Sequence, residues 1–151
     1  INTPLIIVGK TNTPHAKYLI ETYKSASNIK FIGGIYDFDK IDSIRYFSTA
    51  YFHGHSVGGT NPSLLEAMAS SCFIIANDNI FNKTVLEENA LYFASKEDVT
   101  AILKDLNNNA IKYREQFISY NLYEIKNKYS WDKLIDQHEE YLQELISKNK
   151  R

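Results

Sequence analysis

The sequence contains few of the residues that often organise small or metal-bound proteins. It has one cysteine, three prolines and six glycines in 151 residues. A single cysteine, Cys72, excludes an internal disulfide and a zinc site built from cysteines, and is compatible with a reducing compartment. Because this thiol opens an apolar segment, we expect it to pack as a small, inert side chain.

An excess of charge and a long apolar run are also lacking. The chain has 17 basic and 18 acidic side chains and a formal net charge of -1. This balance argues against a dedicated nucleic-acid-binding protein, for which a basic face would be expected. No apolar run approaches the roughly 20 residues of a membrane span. The composition, 44% hydrophobic and 23% charged, is that of one globular domain with its own core.

Short apolar segments alternate with segments of helical periodicity. The predicted strands are Leu5–Val8, Ile29–Ile35, Thr49–His53, Cys72–Ala76 and Ala90–Phe93. Strands separated by helices are typical of βαβ units and a parallel sheet. The continuous apolar run of the first strand also indicates burial on both faces. The predicted fold class is therefore α/β, a Rossmann-like parallel sheet flanked by helices.

Seven helices are predicted between and after these strands: Pro14–Ser27, Asp37–Phe47, Pro62–Ser70, Phe81–Glu88, Lys96–Leu106, Ala110–Lys126 and Trp131–Ser147. Asn107-Asn108-Asn109 predicts the break before the sixth helix, and Ser130 the N-cap of the seventh. On the second helix, Ile41, Ile44 and Phe47 predict one packing stripe. Lys148–Arg151 is expected to be a solvated tail.

Four loops lie where a ligand is expected, because parallel sheets bind ligands at the carboxyl ends of their strands. They are Gly9–Thr13, Gly33–Asp37, His53–Asn61 and Asn77–Lys83. In the third, Gly58 and Gly59 would permit positive φ and close approach of the backbone to a ligand. Asn61 is a good N-cap and Pro62 suits the first helical position, so the helix start favours an anion such as phosphate. A tight turn before a well-capped core helix explains the same pattern, and both interpretations stay open.

Glu66 lies among apolar residues of the helix that follows this loop. We expect that helix to be largely buried, and a lone buried carboxylate is costly unless it is hydrogen-bonded. One turn from a ligand-facing helix start, it could accept hydrogen bonds from sugar hydroxyls. The alternative is a partly exposed acid at the edge of the helix.

Two histidines flank Gly54 where the third strand ends. A pair at this spacing could ligate a metal, but no third ligand is evident. We expect His53 to pack in the core and His55 to line the site, where it is our candidate catalytic residue. Asp78 could act as a base, although a turn-forming cluster with Asn77 and Asn79 is favoured.

Two lysines, Lys10 and Lys83, lie on ligand-side loops. Each could contact phosphate, and the solvated surface lysine is the favoured alternative. The sequence contains no Walker or GxGxxG fingerprint and no Ser-His-Asp pattern at useful spacing.

The segment Gly58–Ala69, which follows a strand and precedes Cys72–Asp78, resembles the donor-binding domain of GT-B glycosyltransferases of the GT4 type. Tyr51–Pro62 is similar to the Tyr-x-His-Gly-His-x-Val-Gly-Gly-Thr-Asn-Pro signature of bacterial rhamnosyltransferase-like enzymes of polysaccharide synthesis. Weaker matches extend the likeness over nearly the whole chain, at Leu5–Gly9, Ile29–Gly33, Val85-Leu86 and Ser130–Asp132.

The resemblance implies a retaining transferase without cofactor or metal. It would move a sugar from a nucleotide-diphosphate sugar, dTDP-rhamnose in the closer family, to a glycan or lipid-linked acceptor. Glu66 matches the second acid of a Glu-x7-Glu motif, which binds the ribose, and Gly58 stands where the first acid would be. The loop that faces the diphosphate corresponds to Gly59, Thr60 and Asn61. The rim that holds the base corresponds to Gly33, Gly34, Ile35 and Tyr36.

Leu5–Val8 resembles the family's second strand, not its first. Residues 1–151 are therefore expected to be the C-terminal half of a GT-B fold, a donor-binding domain incomplete at its N-terminus and without its acceptor domain. A basic loop that contacts the diphosphate would be missing, so we expect the chain alone to be inactive. The parent is expected in the cytoplasm, and a location at the inner face of the membrane stays open. A nucleotide-sugar epimerase of similar architecture and a non-catalytic α/β binding module stay open as alternatives.

Overall fold

The computed structural model describes residues 3–148, in five strands and seven helices. Of the tail predicted at Lys148–Arg151, residues 149–151 lie outside the described part, and Lys148 is the last residue of a helix. The chain divides into two compact units, Ile1–Ile44 and Arg45–Arg151. Both are built from parallel strands and helices, which confirms the predicted α/β class.

The first unit contains β1 (Leu5–Ile7), α1 (Pro14–Tyr23), β2 (Ile29–Phe31) and the start of α2 (Phe38–Phe47). The two strands pair in parallel, with Leu5 opposite Ile29. Helix α1 begins where its residues dictate, since Thr13 Oγ1 accepts a hydrogen bond from Ala16 N at 3.1 Å and proline follows the cap. Gly33 adopts φ +79°, and its carbonyl accepts from Gly9 N at 2.9 Å, which joins the loops after the two strands.

Two packing predictions for the N-terminal part are wrong. The first strand is not buried on both faces, because Leu5 is 41% and Ile6 50% exposed. Its apolar run resembles that of a central strand, but among the described residues β1 pairs with β2 alone and helix α1 has no buried residue. On α2, Ile41 and Ile44 are half-buried while Phe47 is 82% exposed, so the predicted stripe ends one turn early.

The second unit contains three strands and the remaining helices: β3 (Tyr51–His53), α3 (Pro62–Ala69), β4 (Ile74–Asn77), α4 (Ile80–Leu86), β5 (Leu91–Phe93), α5 (Lys96–Lys104), α6 (Leu106–Asn127) and α7 (Trp131–Lys148). The strand order is β3-β4-β5, all parallel. Ile75 therefore lies opposite Phe52 on one side and Leu91 on the other.

The central strand β4 carries the core. Residues Phe73–Ala76 are 0% exposed, and Cys72 beside them is buried as expected. Side chains alternate between two clusters, with Ile74 against α3 and α4, and Phe73 against α5 and α6. The Phe73 ring stacks on Phe117 with centroids 5.7 Å apart. Each such side chain contributes about 1.5–3 kcal/mol by burial, so this strand anchors the loops at its carboxyl end.

The helical segment after β5 corrects one boundary. Asn107–Asn109 does not separate two helices, because α5 ends at Lys104 and α6 begins at Leu106. The break is at Asp105, whose Oδ1 accepts from Asn108 Nδ2 at 2.6 Å. Asparagine is tolerated in a first helical turn, where its side chain can satisfy backbone or capping groups.

Helix α7 begins as predicted, since Lys133 N donates to Ser130 Oγ at 3.3 Å. The described part of α7 has no buried residue. Within residues 3–148, no helix has both the length and the apolar character needed to cross a bilayer.

Candidate functional site

The loop between β3 and α3 presents bare backbone. Gly58 adopts φ +120°, a conformation that side chains disfavour, so the predicted positive φ is confirmed there. Gly59 is not among the positive-φ glycines of the described chain, so it does not use the conformation that its residue type permits. A methyl group added to either glycine would meet no other atom within 4 Å. The loop is therefore open to a ligand on the side of its backbone.

The start of α3 is capped as predicted. Asn61 Oδ1 accepts from Ser63 N at 3.0 Å and from Ser63 Oγ at 2.8 Å. Leu64 N donates to Asn61 O at 3.0 Å, and Pro62 has no N–H. The donors of the first turn are thus largely used by the helix itself. In the described chain, the N–H groups of Gly59, Thr60 and Asn61 donate to no residue. Capacity for an anion lies in these loop amides, ahead of the positive end of the helix dipole.

Glu66 is not the lone buried carboxylate that the sequence suggests. Its side chain is 44% exposed, and its Oε2 accepts from Arg45 Nη2 at 2.6 Å. The helix buries Leu64, Ala67 and Met68, and position 66 lies beside that stripe. The alternative of a partly exposed acid is correct, with a partner that sequence analysis missed.

Arg45 is the functional candidate that only the structure identifies. It lies in the last turn of α2, and its side chain is 8% exposed. In the sequence it resembles an ordinary surface arginine near a helix C-terminus, where the dipole favours a cation. The signal that was available is Glu66 itself, because an acid in an apolar helix calls for a cationic partner.

The two histidines behave differently. His53 is 1% exposed, whereas His55 is exposed, and their rings stack with centroids 4.6 Å apart. Burial, with a smaller effect of the neighbouring His55, lowers the pKa of His53 from 6.5 to about 4. His53 is therefore neutral at pH 7, and its expected packing role is confirmed. The position of His55 is compatible with lining a site, which stays a prediction.

A group of asparagines holds the loop where it leaves β3. The backbone carbonyl of His55 accepts from Asn79 Nδ2 at 3.0 Å and from Asn82 Nδ2 at 3.1 Å. The same Asn82 amide donates to Asn77 O at 2.9 Å. Asn79 Oδ1 also caps α4 by accepting from Asn82 N at 3.0 Å. The turn-forming role predicted for this cluster is confirmed, and it joins the carboxyl ends of β3 and β4.

The charged side chains of the neighbouring loop are paired. Asp78 Oδ1 lies 2.7 Å from Lys83 Nζ, and this ammonium lies 5.4 Å from the centroid of the Tyr92 ring. The pair makes Lys83 a structural lysine in this structure rather than a free cation for phosphate. The same ion pair occupies one carboxylate oxygen of Asp78, the residue considered as a base.

The remaining candidate residues lie in the first unit. Lys10 is exposed beside a groove of about 200 Å3 at the carboxyl end of β1, lined in part by Thr11, Thr13 and His15. In the predicted base rim, Gly33 has positive φ, Ile35 is half-buried and Tyr36 is 77% exposed. The Tyr36 ring packs against Gly34, where a Cβ atom would lie 3.1 Å from Tyr36 Oη. Glycine is thus suited to position 34 because an aromatic ring covers it.

Metal ligands are not clustered in the part of the chain that the structure describes. Among residues 3–148, no three His, Cys, Asp or Glu side chains form a group that could hold a metal ion. His53 and His55 stack face to face, so their ring nitrogens do not converge on one point.

Comparison with known proteins identifies one family. Residues 1–122 match the family model described as glycosyl transferases group 1. The matched range contains the glycine-rich loop, Asn61, Glu66 and Arg45, and it extends into α6. No curated protein matches the chain.

Proposed function

The chain belongs to the group 1 glycosyl transferases, and we propose that it forms the donor-binding domain of such an enzyme. The family in general takes a nucleotide-sugar donor and a glycan acceptor. The observation that carries the proposal is the juxtaposition at α3. Three backbone N–H groups, at Gly59, Thr60 and Asn61, precede a capped helix start, and a half-exposed carboxylate follows at Glu66.

The loop amides are the proposed diphosphate contacts. They have no partner in the described chain, they lie at the positive end of the α3 dipole, and Gly58 and Gly59 leave their approach open. In glycosyl transfer the bond between the anomeric carbon and the diphosphate oxygen breaks, and negative charge grows on that oxygen. Backbone donors that meet this oxygen would stabilise the leaving group.

Glu66 is the proposed ribose contact. Its Oε2 is engaged by Arg45, and no described residue donates to its Oε1. A half-exposed carboxylate oxygen in this state can accept a hydrogen bond from a hydroxyl group. Gly58 cannot replace the first acid of the family's motif, so the transferred sugar needs another partner, and His55 is our candidate because it is exposed at the same end of β3.

The finer identity of the reaction follows the resemblance and belongs to the same proposal. We infer a retaining, metal-independent transfer, with rhamnose as the sugar and a polysaccharide or lipid-linked acceptor in the cytoplasm. The acceptor's own hydroxyl would form the new bond to the anomeric carbon and give its proton to the departing diphosphate. The acceptor domain and a basic loop would lie outside residues 1–151, so this chain alone would bind donor weakly and turn nothing over.

The proposal is tested by nucleotide binding to the full-length protein. We expect one of dTDP, UDP, GDP and ADP to raise the thermal midpoint by a few degrees, since ligand at 100 times its Kd adds about 2.7 kcal/mol. Glu66→Gln should weaken that nucleotide about tenfold, through loss of a charged hydrogen bond. The control is Glu97→Gln, the same change in an exposed ion pair of α5. Absence of any shift, or equal binding by Glu66→Gln, would refute the donor site.

A further inference from the structure

In the ion pair between Arg45 and Glu66, a buried side chain holds a half-exposed one. The guanidinium is 8% exposed and the carboxylate 44% exposed, and Nη2 lies 2.6 Å from Oε2. A pair that served stability alone could lie anywhere on the surface, and such pairs contribute little. Here the buried charge belongs to Arg45, which a ligand cannot reach, and the carboxylate of Glu66 is accessible.

Arg45 is itself held in place from two sides. Its backbone carbonyl accepts from Ser48 Oγ at 2.7 Å, at the end of α2. Its guanidinium carbon lies 6.0 Å from the centroid of the Tyr51 ring, the first residue of β3, at the outer limit of a cation–π contact. Arg45 therefore links the orientation of Glu66 to β3, the strand that precedes His55.

A free glutamate side chain would have to give up rotamer freedom when it binds a ligand. Ordering such a side chain costs up to about 2 kcal/mol. Because Oε2 is already held, that ordering occurs on folding and not on binding, which is the general benefit of preorganisation. The held oxygen also determines which oxygen, Oε1, remains for a ligand hydroxyl.

We propose that Arg45 is a positioning residue for ribose recognition: it fixes Oε2 of Glu66 so that Oε1 meets a hydroxyl of the donor's ribose. This inference rests on the proposed function. Arg45 touches neither substrate nor reacting atoms in this assignment, and its effect is confined to the hydrogen bond that Glu66 makes.

The test compares nucleotides with and without ribose hydroxyls. Kd values are measured by calorimetry on the full-length protein for dTDP, UDP, GDP and ADP, each beside its 2′,3′-dideoxy counterpart. In the wild type, the nucleotide that binds should do so about tenfold more tightly than its dideoxy form. This ratio of Kd values corresponds to one good hydrogen bond to a charged group. Arg45→Gln should reduce this ratio to about twofold and leave the Kd of the dideoxy form unchanged. Arg114→Gln, the same change in an arginine that donates to Thr49 O, is the control.

The ratio separates positioning from structural damage, since a misfolded site would weaken both forms equally. Arg45→Lys keeps the charge but loses the planar fork, so it should fold and still lose part of the ratio; circular dichroism checks folding of both variants. A full ratio in Arg45→Gln or in Arg45→Lys, or a parallel loss for both nucleotide forms, would refute the positioning role while the donor site stands. If the wild type binds no nucleotide, the proposed function itself fails and the positioning role fails with it.

Discussion

Acid should destabilise this protein through the buried imidazole of His53. The side chain is 1% exposed, and its two ring nitrogens have no hydrogen-bond partner in the described chain. Burial, and to a lesser extent His55, lowers its pKa from 6.5 to about 4. Between these two pH values, His53 is protonated in the unfolded chain and neutral in the folded chain. Stability is therefore full above about pH 6.5 and falls as the pH decreases toward about 4.

The magnitude follows from the two pKa values. One pKa unit corresponds to about 1.36 kcal/mol, so the change from 6.5 to about 4 represents about 3 kcal/mol over the whole range. Between about pH 7.5 and about pH 5, linkage predicts a loss of about 2 kcal/mol from this residue alone. That is a large fraction of the roughly 5–15 kcal/mol by which domains are stable.

The assay is urea unfolding at both pH values, for the wild type and for His53→Phe. Phenylalanine keeps an aromatic ring between Tyr51 and His55, with which His53 makes ring contacts, and it removes the titrating group. Other acids and histidines contribute to both proteins, so the variant should lose about 2 kcal/mol less than the wild type on acidification. His138→Phe makes the same replacement at an exposed position of α7. Equal pH dependence of the wild type and His53→Phe would refute the argument.

Three further substitutions test the core, the loop anchor and a helix cap. Asn82→Ala should lower the free energy of unfolding by about 1–3 kcal/mol, because it removes a donor from two backbone carbonyls at the ends of β3 and β4. Hydrogen exchange at the amides of residues 54–60 should accelerate. Unchanged protection there would contradict the anchoring role. Phe73→Ala should cost about 3–5 kcal/mol in urea unfolding, while Phe47→Ala, at an 82% exposed position, should stay within about 0.5 kcal/mol. Ser95→Ala breaks the capping box of α5 and should lower stability by about 1 kcal/mol, measured in the same assay; no change would contradict the cap.

Periodicity predicted the order and type of every element, because the period of apolar residues differs between strands and helices. It failed where burial depends on neighbours rather than on the segment itself. The apolar runs Leu5–Ile7 and Ile74–Ala76 have nearly the same character, yet the first is largely exposed and the second is buried. Helix boundaries failed for a local reason, since Asn107–Asn109 fits a first helical turn as well as a loop.

At the site, the sequence was informative about backbone and caps and misleading about charge. Gly58, Asn61 and Pro62 act through their own local conformations, which residue type determines strongly. Glu66 was expected to be buried because its sequence neighbours are apolar. Its actual exposure depends on the angle at which α3 meets the sheet, and its partner Arg45 is 21 residues away. No pattern in one sequence specifies such a tertiary pair.

Buried polar side chains concentrate where the site is proposed. The described chain buries Arg45, His53, Asn82, Asn89 and Asn121. Asn89 and Asn121 contact each other, since Asn121 Nδ2 donates to Asn89 O at 3.2 Å. The first three lie around the loop and helix that follow β3, where one holds Glu66, one stacks beneath the His55 ring and one holds the His55 carbonyl.

Polar groups are costly to bury, and the apolar core at β4 shows that this sheet does not need them for packing. Because Arg45, His53 and Asn82 each restrain an exposed group, their cost is best explained by the precision that a binding site requires. On this argument, replacing all three by apolar residues of similar size would leave the sheet folded while the loop and Glu66 lose their fixed positions. Nucleotide binding would then fall much further than stability.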